Sequence, residues 1–251
     1  MTTYYKFLST GGVAPYSGWQ WPLPTKNEDG TWTPGEWTPA VDELIECERG
    51  YHVTGTADAI EWLGAEMYAV ESHPEAVFAQ YDNKGAFTQC RLVRQIERWD
   101  ERTQRVFACD CAERALGIFE RACPDDNRPR NVIETARRYA RGEATLDELV
   151  AAGAAARAAA GAAAGPSAGA AAWDAARNAA WYAAGAAARA VARAAAWAAA
   201  RNAAWYAARA VARAAAEDAA EDAAWVAARA AAGAAERGWQ TQHLCELLGI
   251  E

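Results

Sequence analysis

From Trp173 to Arg237 the chain is written in groups of four residues, and this repeat restricts the fold more than anything else in the sequence. Trp173-Asp-Ala-Ala is followed by Arg177-Asn-Ala-Ala and Trp181-Tyr-Ala-Ala, and the pattern continues to Glu217-Asp-Ala-Ala, Glu221-Asp-Ala-Ala and Trp225-Val-Ala-Ala. A longer duplication lies on top of it. Arg177-Asn-Ala-Ala-Trp-Tyr-Ala-Ala returns 24 residues later at Arg201, whereas Arg189-Ala-Val-Ala-Arg-Ala-Ala-Ala returns after 20, at Arg209. The unit gained or lost is one tetrad, Gly185-Ala-Ala-Ala. Alanine has the highest helix propensity, so the tract is expected to be helical. A four-residue step turns a helix through about 400°, so each ridge drifts by about 40° per tetrad. With Trp173 at zero, Trp181, Trp225, Trp197 and Trp205 fall at about 80°, 160°, 240° and 320°. Tryptophans on every side cannot serve one flat interface. Either the tract folds back as two or three helices with local cores, or one long helix is covered all round by copies of itself. Folding back is the preferred expectation, with breaks near Trp197 and Glu217 to Asp222. The same five tryptophans are the candidate residues for self-assembly into a homo-oligomer.

The tract also divides the chain by composition. Of 68 alanines, 52 fall within the 87 residues 151–237. That segment holds nine Arg against six Asp and Glu, so with the whole chain at −8 the remainder stands at −11. Such an acidic balance argues against nucleic-acid binding, and the drift spreads Arg177, Arg189, Arg193, Arg201, Arg209 and Arg213 around the helix. The arginines also interrupt the run of about 20 apolar residues that a membrane span needs. An alanine face is too weakly apolar for a membrane-surface helix. An ice-binding helix would want a regular row of Thr, and residues 151–237 contain none.

The six cysteines (Cys47, Cys90, Cys109, Cys111, Cys123, Cys245) follow an opening without an apolar signal segment, and they read as reduced thiols in a cytoplasm. On a helix Cys109 and Cys111 stand about 200° apart and cannot grip one ion together. His52, His73 and His243 lack chelating spacing, so no metal and no other cofactor is expected.

Residues 1–98 read as a small α+β domain. Strands are expected at Tyr4 to Leu8, Tyr51 to Val53, Met67 to Glu71 and Phe87 to Glu97. Between the first two, Trp19 to Pro39 carries Trp19, Trp21, Trp32 and Trp37 among four prolines, which predicts a loop with a turn at Asp29-Gly30. Thr56 is placed as the cap of a short helix that Gly64 ends. Residues 99–251 read as an all-α, alanine-rich antiparallel bundle. A first helix runs from a cap at Asp100 to Pro124, and a second from Pro129 to Gly142. A third opens with the capping box Thr145-Leu146-Asp147-Glu148 and runs to Gly165-Pro166. Trp239, Leu244, Leu247, Leu248 and Ile250 predict a closing amphipathic helix.

Residues 105–145 contain Ala108-Cys-Asp-Cys-Ala-Glu-Arg114, then Asp126-Asn-Arg-Pro-Arg130 and a helix ending Ala140-Arg-Gly142. This pattern resembles the immunity protein five-like family, in which alanine-rich helices follow. The resemblance implies a non-enzymatic protein that binds a toxin or effector. It places Asp110, Glu113, Arg114, Asp126, Arg128, Arg130, Arg137 and Arg141 as the candidate partner-binding residues, with Cys111, Pro129 and Glu134 on matching positions. Read from the residues alone, Asp126 and Glu134 can accept from Arg128, Arg130 or Arg137 across the helix corner and fix its geometry. The alternative reading is a nucleotide-binding or degenerate ADP-ribosyltransferase-like first domain. Gly50-Tyr-His-Val-Thr54 and Met67-Tyr-Ala-Val-Glu71 faintly resemble the strand-borne His and Glu of that fold, which makes His52 and Glu71 its candidate ligand site.

Overall fold

The computed structural model describes residues 3–162 and 222–250. The chain divides into two compact units, Met1–Asp100 with Leu248–Glu251, and Glu101–Leu247. The first is built mainly of strands and the second of helices, the class expected from the sequence.

Among the described residues of the first unit eight short strands make three small sheets: β1 Tyr4–Leu8, β2 Thr25–Lys26, β3 Trp32–Thr33, β4 Tyr51–Val53, β5 Glu66–Ser72, β6 Phe78–Gln80, β7 Gly85–Phe87 and β8 Cys90–Gln95. Their orders are β1-β5-β8, β2-β3 and β4-β7-β6, every pairing antiparallel. Tyr5 and Thr54 exchange backbone hydrogen bonds of 2.8 and 2.9 Å and so join β1 to the end of β4. Leu8, Trp21, Val53, Tyr68, Phe87 and Leu92 fill the core. Gly85 has no Cβ because the Phe78 ring lies over it, 2.3 Å from where that atom would be.

Three local expectations need correction. The single strand at Phe87 to Glu97 is two strands, β7 and β8. The chain leaves one sheet for another at Thr88 and Gln89, whose N–H and carbonyl are bonded to Val77 and His73. The Trp/Pro segment is not all loop. Its Asp29-Gly30 turn closes the β2-β3 hairpin, with Gly30 at φ +84° and Asp29 Oδ1 accepting the Thr31 N–H at 2.9 Å. Beyond it Gly35, Thr38 and Val41 donate to the carbonyls of Leu92, Cys90 and Thr88, so the segment straps the outer edge of β8 and covers its open groups. Finally, the short helix is a 3-10 helix over Thr56–Glu61 whose cap is Gly55, so Thr56 stands inside it.

The helical unit contains α1 Glu101–Ala122, α2 Arg128–Ala140, α3 Leu146–Ala162 and α4 Asp222–Leu248. Pro129 stands in the first turn of α2, where its missing N–H costs nothing. Past its end Gly142 adopts φ +76°, and the N–H groups of Gly142 and Glu143 close onto Tyr139 and Arg138. The capping box forms as read: Glu148 N–H donates to Thr145 Oγ1 at 3.2 Å and Thr145 N–H to Glu148 Oε2 at 2.6 Å. Val132, Ile133 and Ala136 of α2 pack between Cys109, Ala112 and Leu116 of α1 and Leu149 and Ala156 of α3. The closing segment is not a separate helix; it continues α4, with Leu244 and Leu248 buried. Trp173, Trp181, Trp197 and Trp205 lie outside the described residues, as does the choice between a folded-back and a straight tract. Trp225 stands in the first turn of α4. Among the described residues no helix is long and apolar enough to cross a membrane.

Candidate interaction site

Helix α1 carries chemistry on two sides because residues three and four apart share a face. Glu113 and Glu120 meet α2: Arg137 Nη2 donates to Glu113 Oε2 at 2.5 Å, and Arg130 Nε to Glu120 Oε1 at 2.8 Å. Phe107 and Arg114 meet α4. Both sets of pairs run in reverse sequence order, so α2 and α4 are each antiparallel to α1. Asp110 serves both sides, taking Arg137 Nη2 on Oδ1 at 2.5 Å and facing His243 Nε2 with Oδ2 at 2.8 Å.

On the α4 side the side chains form a stack. The Arg114 guanidinium lies 4.2 Å over the Trp239 ring, Trp239 stacks on His243 at 4.8 Å and 16°, and His243 stacks on Phe107 at 6.1 Å. Arg114 Nε also donates to Glu236 Oε2 at 2.7 Å, and Gln240 holds the other oxygen at 3.2 Å. The Glu236 side chain has no exposed surface. A buried carboxylate costs several kcal/mol unless paired, so Arg114 and Gln240 make its position tolerable and thereby fix α4 on α1. The hydrogen bond from Arg137, against some burial, holds the Glu113 carboxyl below its ordinary range. Burial pushes the Cys109 thiol up to about 12 and Cys111 well above its usual value, which makes both inert packing residues.

The remaining predicted residues lie nearer to solvent. Arg128 forks onto Asp126, Nε to Oδ1 at 2.8 Å and Nη2 to Oδ2 at 2.5 Å, and this hydrogen bonding holds the Asp126 carboxyl low. Arg141 Nε meets Glu143 Oε2 at 2.9 Å. At the α1–α2 corner Cys123, Pro124, Asp126 and Arg128 line an open concavity. The structure thus brings Asp110, Glu113 and Arg137 together, links Arg114 to α4, and leaves Asp126 with Arg128, Arg130 and Arg141 in separate outer pairs. The corner pairing of Asp126 with Arg128 is as read. Arg130 and Arg137, however, reach α1 rather than Asp126 or Glu134, because burying Val132, Ile133 and Ala136 turns Glu134 to solvent. Glu236, Trp239, Gln240 and His243 were not among the predicted residues. Their signal was present as two four-residue spacings on one helix face, Glu236 with Gln240 and Trp239 with His243.

In the first unit His52 stands on β4 and Glu71 on β5, in different sheets. His52 Nε2 accepts the Cys47 N–H at 3.1 Å, and Glu71 is paired with Arg91 Nε at 2.7 Å. The two are not brought together.

The family model described as "Imm-5 like putative immunity protein" matches residues 94–247, more than half of the 251-residue chain. The chain belongs to that family. Family membership supports an immunity-like role and, in general, a protein partner. The match takes in both groups of ion pairs, and it extends the resemblance carried by residues 105–145 through the helical C-terminal part, as expected. Most of the first unit precedes it. The comparisons with curated proteins and with solved structures give no match.

Proposed function

We propose that the helical unit is an immunity-type binding module, which neutralises a toxin or effector protein in the cytoplasm by contact rather than by catalysis. The family match over residues 94–247 carries this reading. The geometry supports a division of labour. Asp110, Glu113, Arg114 and Arg137 are positioning residues that hold α1, α2 and α4, while Asp126, Arg128, Arg130 and Arg141 meet the partner. The Arg128, Arg130 and Arg141 side chains are 40, 51 and 44 % exposed, and each is engaged by one carboxylate. A half-exposed guanidinium fork retains donors for a carboxylate on another protein.

The test begins with cross-linking in native cells to identify the partner. Combined charge reversal, Arg128→Glu, Arg130→Glu and Arg141→Glu, is then expected to weaken the isolated complex at least tenfold while the circular dichroism stays unchanged. Failure to retain any protein partner, or unchanged affinity on reversal, would overturn the proposal. A second mode is a homo-oligomer built through the tetrads, whose repeating Ala/Trp surface, with Trp173, Trp181, Trp197, Trp205 and Trp225, can register against another copy. Native mass spectrometry showing only the single-chain mass at high concentration would remove it.

A further inference from the structure

Among the described residues, the two three-stranded sheets of the first unit have every outer edge engaged but one. The strap Gly35, Thr38 and Val41 covers β8, and Tyr5 with Thr54 joins β1 to β4. On the outer side of β4 the His52 carbonyl takes Lys6 Nζ at 2.8 Å. The exception is β6. It pairs with β7 in the register Phe78 with Phe87, Ala79 with Ala86 and Gln80 with Gly85. Thr88 N–H donates to the Val77 carbonyl at 3.0 Å, and Tyr81 N–H to the Lys84 carbonyl at 2.8 Å. Bonded positions alternate along an antiparallel ladder, so Val77, Ala79 and Tyr81 bond towards β7. The backbone N–H and C=O of Phe78 and Gln80 therefore point away from it, and among the described residues nothing meets these four groups. Phe78 and Gln80 are exposed, as is Val77 beside them at 63 %.

Open edges are normally protected by a lysine or a proline. The six residues Ala76 to Tyr81 hold no charge, no Pro and no Gly. Charge stands at the two ends instead, and it has one sign. Glu75 precedes the strand and Asp82 follows it, both exposed. Asp58 and Glu61 lie close to Asp82: burial, then repulsion from those two carboxylates, raises the Asp58 carboxyl above its ordinary range. Asn83 Nδ2 donates to Glu61 Oε2 at 2.6 Å, which fixes this group against the β6–β7 turn. Among the described residues none of the four carboxylates is in an ion pair. Residues 1–100 as a whole hold 15 Asp and Glu against seven Lys and Arg.

We infer that β6 is a docking edge for an extended, basic segment of another protein. The segment adds as a further strand, its backbone bonded to Phe78 and Gln80 and its cations beside Glu75 and Asp82. A second copy of this chain fits the edge poorly. Antiparallel pairing about Ala79 would set Asp82 of one copy against Ala76 and next to Glu75 of the other, like charge beside like charge at both ends. The family match begins at residue 94, so this surface is separate from the helical module.

The experiment titrates the full chain with three nine-residue peptides: alternating lysine and valine, alternating glutamate and valine, and the lysine peptide with N-methyl groups on the backbone of alternate residues. The lysine peptide is expected to bind at least tenfold more tightly than either of the others. It is expected to slow amide exchange at Phe78 and Gln80 at least tenfold. Gln80→Pro removes one outward N–H without touching a ladder bond and is expected to weaken binding about tenfold. Glu75→Gln with Asp82→Asn is expected to weaken it about threefold at low salt, a difference that closes at about 1 M salt. No binding, equal binding of the N-methylated or the glutamate peptide, or binding without protection at Phe78 and Gln80 would overturn the proposal. So would an unchanged affinity in a folded Gln80→Pro protein, or protection of the two amides that rises with protein concentration alone, which would make the occupant a second copy. The peptide comparisons on the wild-type chain decide the matter even if the variants do not fold.

Discussion

The core of the first unit is made of large side chains, Leu8, Trp21, Tyr68, Phe87 and Leu92, whereas among the described residues half of the eight buried ones joining α1, α2 and α3 are Ala or Cys. Large side chains specify their neighbours by shape, and each buries enough apolar area to stabilise by about 1.5 to 3 kcal/mol. Alanine allows helices to approach closely but contributes little area and few shape constraints. Orientation in the helical unit therefore has to come from elsewhere, and the ion pairs from α1 to α2 and α4 supply it. The difference teaches where mutation should hurt: apolar truncation in the strand unit, loss of one charge in the helical unit.

The sharpest way to break that comparison is to truncate the strand core. Leu92, with no exposed surface, is expected to cost about 3 to 4 kcal/mol as Leu92→Ala, read by chemical denaturation. The corresponding change in the helical core, Ala136→Gly, is expected to cost only about 1 kcal/mol. Next in size is the charged pair. Arg114→Ala strands the buried Glu236 carboxylate and is expected to cost roughly 3 kcal/mol. Replacing both partners, Arg114→Met with Glu236→Leu, is expected to be near neutral in stability. If the double variant is as unstable as the single one, packing rather than charge compensation holds α4. A smaller loss, about 1 kcal/mol, is expected for Thr145→Ala, which removes one half of the capping box.

That capping box was legible in the sequence because every contact in it lies within four residues. The same holds for Pro129 and Gly142 at the ends of α2, and for β1 and β4, whose aromatic and β-branched residues stand between turn formers. Resolution failed where partners are distant. Nothing near Thr88 announces that the chain changes sheets there, because the event is defined by Val77 and His73. The Trp/Pro strap looked like loop because its hydrogen bonds go to β8, more than 50 residues away. In the candidate site the residues between Asp110 and Arg141 could be nominated from the family pattern, but of their pairings only Asp126 with Arg128, two residues apart, was legible. Glu236 and His243 were missed because their partners stand 122 and 133 residues earlier in the chain.

The smallest effect separates the two units by pH. Glu113 and Asp126 are held low by hydrogen bonds from Arg137 and Arg128, and Glu143 and Glu148 by bonds from Arg141 and Thr145. For each, the unfolded chain binds protons more tightly than the folded one. Their contribution is complete above the unfolded value of about 4.3 for Glu and is lost as pH falls through the lower folded values. Exposure limits it, and Glu113→Gln is expected to remove less than about 1 kcal/mol at neutral pH and nothing at pH 2. The strand unit responds at the other end of the scale. Desolvation lowers Lys6 to about 8, so burying its charged form opposes folding below that pH. Stability from this group rises as pH climbs from about 8 towards the unfolded value of about 10.4. Cys90, pushed up to about 12 by burial, works in the opposite sense across the same range, so the Lys6 effect is read as the difference between wild type and Lys6→Met. Residue-resolved amide exchange across both ranges checks the assignment. Acid sensitivity concentrated in the strand unit would show that the carboxylates of the helical unit are not what its packing depends on.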